Sequence, residues 1–220
     1  MSALSRHVFV SGGTGYVGSR LIPRLLLRGH RVRALVRPGS EAKLPSGCEA
    51  VLGDAVRSET FSGRVAPCDT FVQLVGVAHP SPAKAPQFRS IDLASARAAG
   101  DAASASRVAH FVYVSVAQPA PAMKDYVAAR AEGEAYLTSL NLDATFLRPW
   151  YVLGPAHRWP FLLLPGYWLL ERLPATREGA RRLGLVTLTQ MVSALVRAVE
   201  NPARGIRIVD VPTIRAAEGA

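Results

Sequence analysis

Apolar residues recur along this chain in two rhythms, short runs of β-formers alternating with longer stretches at helical spacing. Val8-Phe9-Val10 runs into a glycine-rich turn, and Leu21, Ile22, Leu25 and Leu26 follow at helical spacing. A first helix is expected from Tyr16 to Arg28, stopped by Gly29 and kinked at Pro23, which lacks an N–H. His30 to Val36 reads as a second strand, with Val32, Ala34 and Val36 alternating against Arg31, Arg33 and Leu35. Glu49 to Leu52 is a short third strand. Asp69 to Val77 is a fourth, so nearly continuous in apolar residues that it reads as a buried parallel strand.

A small, alanine-rich helix follows from Phe88 to Ser106, then a fifth strand from His110 to Val114. Lys124 to Leu140 is a helix and Ala144 to Leu147 a sixth strand. From Tyr151 to Gly184 the pattern is irregular and rich in Pro, Gly and Trp, as in segments that build a substrate pocket or an oligomer contact. Thr187-Leu188-Thr189-Gln190 is a capping box that opens a helix to Glu200, with Leu188, Met191, Leu195 and Val199 on one stripe. Ile206 to Val211 is a last strand, and the tail beyond it is expected to fray. Strands alternating with helices predict an α/β fold, a doubly wound parallel sheet. The expected organisation is a core over residues 1–150 and a short substrate-side region over 151–220 that completes the same domain.

Composition narrows the picture. A chain of 220 residues with 49% hydrophobic residues can bury a full core. No apolar run is long enough to span a membrane, and the most apolar window, Trp159 to Leu173, is broken by Pro160, Pro165 and Gly166. The first strand begins almost at the N-terminus, so no signal peptide is expected. Cys48 and Cys68 make neither a metal pattern nor a disulfide framework, which points to a reducing cytoplasm and no metal site. The net charge of +10 comes almost wholly from scattered arginines, without a basic tail or an aromatic-basic cluster. Nucleic acid is not the expected partner.

The chemistry sits in the glycine turn. Gly13-x-Gly15-x-x-Gly18 and Gly12-x-x-Gly15-x-x-Gly18 both fit the dinucleotide fingerprint, between a legible strand and a legible helix. Gly12, Thr14, Gly15, Tyr16 and Val17 are the candidates to cradle the phosphates at the helix N-terminus. At the end of the second strand, where an NAD site places a carboxylate, this chain has Arg37, whose guanidinium suits a 2′-phosphate. NADP(H) is therefore expected over NAD(H). Asp54 and Ala55 follow the third strand, where Asp54 either meets an adenine amino group or caps the next turn. Gly76 ends the fourth strand and leaves room for a ligand; His79, in the loop beyond, could face a substrate or solvent. Ser115 leaves the fifth strand at its carboxyl edge, where doubly wound sheets bind ligands. Tyr126 and Arg130 stand at i and i+4 on one helix face.

Together these residues resemble the short-chain dehydrogenase/reductase superfamily, a Rossmann fold, and most of all its atypical, NmrA-like branch, which includes relatives of a respiratory complex I accessory subunit. The resemblance rests on Gly12, Gly15, Gly18, Arg37, Gly53-Asp54, Ser115, Tyr126 and Arg148-Pro149. It implies cofactor contacts at the glycine loop, Arg37, Asp54 and Pro149, and also at Arg130. It also implies catalysis by a Ser and a Tyr-x-x-x-Lys pair, for which this chain has Ser115 and Tyr126-Val127-Ala128-Ala129-Arg130. Arginine supplies the charge of that lysine but not its compact shape. The expectation is an NADPH-dependent reductase of a small carbonyl or quinone-like molecule, possible as a homodimer. The alternative is a redox-inactive NADP(H)-binding sensor or assembly protein.

Overall fold

Val8, Phe9 and Val10 have no solvent exposure, and the strand they form, β1 (His7–Ser11), lies at the centre of the sheet. The computed structural model describes residues 5–154 and 177–217. Around β1 stand β2 (Arg31–Val36), β3 (Cys48–Leu52), β4 (Thr70–Gln73), β5 (His110–Val114), β6 (Ala144–Leu147) and β9 (Ile206–Val209). Among the described residues they form one seven-stranded sheet in the order β3-β2-β1-β4-β5-β6-β9. Every pairing in it is parallel. The chain winds outward from β1 to β2 and β3, then returns to lay β4 on the other side of β1. That reversal opens a crevice at the carboxyl ends of β1 and β4.

Both faces of the sheet are covered, as parallel sheets require. On one face α1 (Gly18–Leu27) and α5 (Leu188–Glu200) bury Leu21, Ile22, Leu25, Met191 and Leu195 against Val8, Val10, Val32, Val72 and Val112. On the other, the alanines of α2 (Ala94–Ala105) and Leu137 of α3 (Lys124–Ser139) close over Phe9, Phe71, Phe111 and Phe146. In-register pairing stacks these rings across strands: Phe9 and Phe71 centroids lie 5.0 Å apart, Phe71 and Phe111 5.2 Å. Small alanines let α2 approach a layer of large rings.

Several expected boundaries move. The first helix starts at Gly18 rather than Tyr16, because the glycine turn runs through Val17; Gly29, at φ +82°, ends it as expected. His30 falls outside β2, and Leu35, placed with the polar face, is 4% exposed because both faces of this strand are covered. β3 gains Cys48. The fourth strand stops at Gln73 instead of Val77: the Leu74 N–H still donates to the Ser11 carbonyl at 3.1 Å, but β1 then turns away and Val75 to Val77 have no partner there. The helix expected from Phe88 begins as a π-turn, Phe88–Leu93, before α2.

The stretch from Tyr151 to Gly184 is not irregular throughout. β7 (Tyr151–Leu153) pairs in parallel with β8 (Leu185–Thr187), and α4 (Arg177–Arg182) precedes β8. Its middle, with the apolar window Trp159 to Leu173, lies outside the described residues. The last strand ends at Val209, where the Asp210 side chain accepts the Thr213 N–H and starts α6 (Val211–Arg215). Through Ala217 the tail expected to fray is anchored instead, since Val211 and Ile214 are fully buried and Ala217 is 2% exposed.

Candidate functional site

At the end of β1 the backbone turns through Gly12, whose φ of +77° a side chain rarely tolerates. The Gly15 N–H donates to the Gly12 carbonyl at 3.1 Å and closes the turn. A Cβ on Gly18 would run into the same Gly12 carbonyl and lie 2.7 Å from the Gly13 Cα, so only glycine lets α1 start this close to β1. Thr14 and Gly15 are exposed above the N-terminus of α1, and Tyr16 and Val17 are half-buried beside them. Free N–H groups, a positive dipole end and a bare backbone fit a pyrophosphate.

Two further sequence candidates, Arg37 and Asp54, follow the ends of β2 and β3. Arg37 is exposed, and no described residue pairs with its guanidinium. Asp54 is exposed too; one carboxylate oxygen accepts the Val56 N–H at 3.1 Å, the capping arrangement, while Thr60 Oγ1 accepts the Asp54 N–H at 2.9 Å. Ala55 packs at the margin of the aromatic core.

On the other side of the crevice the residues at the ends of β4 and β5 meet. Ser115 is 2% exposed, and its hydroxyl has no hydrogen-bond partner among the described residues. Arg130 links it to Tyr126: the guanidinium lies 5.3 Å from the Tyr126 ring centroid and donates to the carbonyl of Val114, next to Ser115, at 2.8 Å. Arg130 itself is 5% exposed and forms a 2.6 Å ion pair with Asp92, which has no exposure. Burial works against its charge, but the oxygens of Tyr126, Tyr113 and Asp92 around it hold its pKa raised. The exposed Gly76 lies directly over this guanidinium. Pro149 is buried and its carbonyl accepts the Ala117 N–H at 3.0 Å. His79 is exposed at φ +51°.

Beyond β5, a cavity of about 540 Å³ opens at the carboxyl ends of β5, β6 and β9, lined among others by Ala117, Arg148, Arg181, Ile208 and Asp210. Arg148 is held there by both oxygens of Glu134, at 3.0 and 2.5 Å. Among the described residues no group of His, Cys, Asp or Glu is arranged to hold a metal, and no helix is long and apolar enough to cross a membrane.

The structure gathers Ser115, Tyr126 and Arg130 near the end of β5, together with Asp92, Gln73 and Phe88, which the sequence reading did not single out. Gln73, wholly buried in the run Phe71-Val72-Gln73-Leu74, was a visible anomaly. Asp92, alone among small and apolar neighbours, was another.

This site and fold define a dinucleotide-binding α/β protein. Residues 12–157 match the model of the NAD(P)H-binding family, and the chain belongs to that family. It is 27% identical over 150 residues to the ceramide reductase of Caulobacter vibrioides, covering 67% of this chain and 47% of that protein. It is 30% identical over 111 residues to the photosystem II assembly factor Ycf39 of Trieres chinensis, covering 49% of this chain and 34% of that one. The chain thus matches less than half the length of either relative. Among solved structures, the Bordetella bronchiseptica enzyme WbmH in complex with NAD+ aligns over 94% of this chain and 76% of its own, with a TM-score of 0.70 and 21% identity. That likeness is one of fold.

Proposed function

We propose that this chain is an NADPH-dependent reductase of a small carbonyl or quinone-like substrate, within the NmrA-like branch of its superfamily. The observation that carries the reading is the buried, unpartnered Ser115 hydroxyl at the carboxyl end of β5, one residue from the carbonyl that Arg130 holds. A buried hydroxyl without a partner costs free energy unless a ligand satisfies it. The similarity to a ceramide reductase supports the same class of chemistry.

Gly12, Thr14, Gly15, Tyr16 and Val17 hold the pyrophosphate, Arg37 pairs with the 2′-phosphate, and Asp54 and Ala55 border the adenine. Gly76 and Pro149 line the nicotinamide end. A reduced nicotinamide supplies a hydride when bound there. Ser115 Oγ holds the carbonyl oxygen of the substrate, and Tyr126 delivers the proton that completes the alcohol. The cavity beyond β5 and β6 receives the rest of the substrate. The reading goes with a reducing cytoplasm, because both cysteines are free thiols. Burial pushes Cys48 up to about 11 and Cys68 up to about 12, which leaves neither as a nucleophile.

A second reading, a redox-inactive NADP(H)-binding sensor or assembly protein, draws on the Asp92–Arg130 pair. The cation beside Tyr126 is neutralised by a buried carboxylate. The two readings separate on NADPH oxidation with a panel of ketones, aldehydes and quinones. The reductase predicts turnover that Tyr126→Phe and Ser115→Ala each lower at least about a hundredfold. A chain that binds NADPH yet consumes none with any substrate belongs to the second reading.

A further inference from the structure

We infer that Asp92 and Arg130 form a buried clasp that positions the nicotinamide half of the bound nucleotide without either side chain touching it. The inference rests on the proposed path of that half over the ends of β4 and β5. These two strands last pair at Gln73 and Tyr113. Past that point no ladder holds them, yet Gly76 and Ser115 must keep a set separation if one ligand is to touch both. The clasp replaces the ladder. Arg130 Nη1 donates to the Val114 carbonyl at 2.8 Å, Arg130 Nη2 pairs with Asp92 Oδ1 at 2.6 Å, and Asp92 Oδ2 accepts the Val77 N–H at 3.0 Å. One ion pair thus ties the backbone beyond β4 to the end of β5.

The surroundings are built for it. The π-turn Phe88–Leu93 sets Phe88 and Asp92 on the side that meets Tyr126 and Arg130 of α3. The Phe88 and Tyr126 rings lie 5.1 Å apart, so ring meets ring and charge meets charge. A Cβ at Gly76 would collide with Arg130 Nη2 and come within 3.0 Å of Asp92 Oδ1, so the backbone rests on the guanidinium only because residue 76 is glycine. Behind Asp92 a buried polar chain runs towards the phosphate loop. The Asp92 carbonyl accepts from Ser95 Oγ at 3.2 Å, Ser95 Oγ accepts from Gln73 Nε2 at 2.9 Å, and Gln73 Oε1 accepts from Ser11, the residue before Gly12. A lysine at 130 could not do the same work: the two terminal nitrogens of a rigid planar fork reach the Val114 carbonyl and the Asp92 carboxylate at once, whereas a compact ammonium on a flexible stem is a single point charge.

Binding of two probes decides the matter. The intact dinucleotide, NADPH or NADH as wild type prefers, is compared with its adenylate fragment, adenosine 2′,5′-bisphosphate or ADP. Two variants are used, Arg130→Lys and the double variant Asp92→Leu/Arg130→Met, in which apolar groups of similar bulk replace the ion pair. Each is expected to bind the dinucleotide about tenfold more weakly than wild type, while the fragment stays within about twofold. Equal losses for both probes, or unchanged dinucleotide affinity in Arg130→Lys, would overturn the clasp. If the double variant does not fold, Arg130→Lys, which keeps the buried charge balance, decides alone. Turnover is not read, so a wild-type chain that binds NADPH and reduces nothing sinks the reductase reading and leaves this result intact.

Discussion

Arg37 leaves β2 with its guanidinium in solvent and no described partner, so its charge is available to a ligand. Arg37→Glu should weaken NADPH binding about tenfold or more, because a carboxylate repels a 2′-phosphate, while NADH affinity changes little. Titration calorimetry with both nucleotides checks this, and equal losses would remove the assignment. Gly18 carries a steric demand of a different kind. Gly18→Val places atoms on the Gly12 carbonyl and the Gly13 backbone, so both nucleotides should lose affinity together. Gly15 is roomier, with its Cβ position 3.2 Å from the Gly12 carbonyl, which makes Gly15→Val the milder lesion in the same assay. These residues were legible in the sequence because their roles are local: a turn, a strand end, a helix start. Asp92 was not, because its partners come from α3 and the segment after β4, far apart along the chain.

At the scale of elements, α5 is the one whose start the sequence spelled out. Thr187 Oγ1 accepts the Gln190 N–H at 3.1 Å, and Gln190 Oε1 accepts the Thr187 N–H at 2.9 Å. Thr187→Ala removes one half of this box and should cost about 1 kcal/mol. Thermal melts should then fall by about 2–4 °C with nucleotide affinity unchanged. β4 teaches the opposite lesson. Its apolar run continues through Leu74 and Val75, but a strand needs a neighbour as well as β-formers, and β1 has already turned at Gly12. The pair β7–β8 was hidden for the same reason: three-residue strands carry little periodicity, and each exists through its partner.

At the scale of the molecule, a histidine inside the sheet ties stability to pH. His110 is 1% exposed, with Nε2 3.0 Å from Thr145 Oγ1, and burial, aided by the Arg207 charge, lowers its pKa to about 4. An unfolded chain protonates this ring near its ordinary 6.5, so below that pH the unfolded state binds the extra proton first. Stability should therefore fall as pH drops from 6.5 towards 4, by up to about 3 kcal/mol from this group. Urea unfolding at pH 7 and pH 4.5 checks it: His110→Phe should show a smaller drop between the two than wild type. By itself the sequence determined the order of the elements, the parallel sheet, the glycine turn after β1 and the arginine at the end of β2. Those features follow from local periodicity and turn chemistry. Only the tertiary structure decided where β4 stops, that the tail is anchored, and that Arg130 is committed to Asp92. Strand pairing, burial and the partner of a buried charge are set by residues that meet across the fold, and no local pattern records who meets whom.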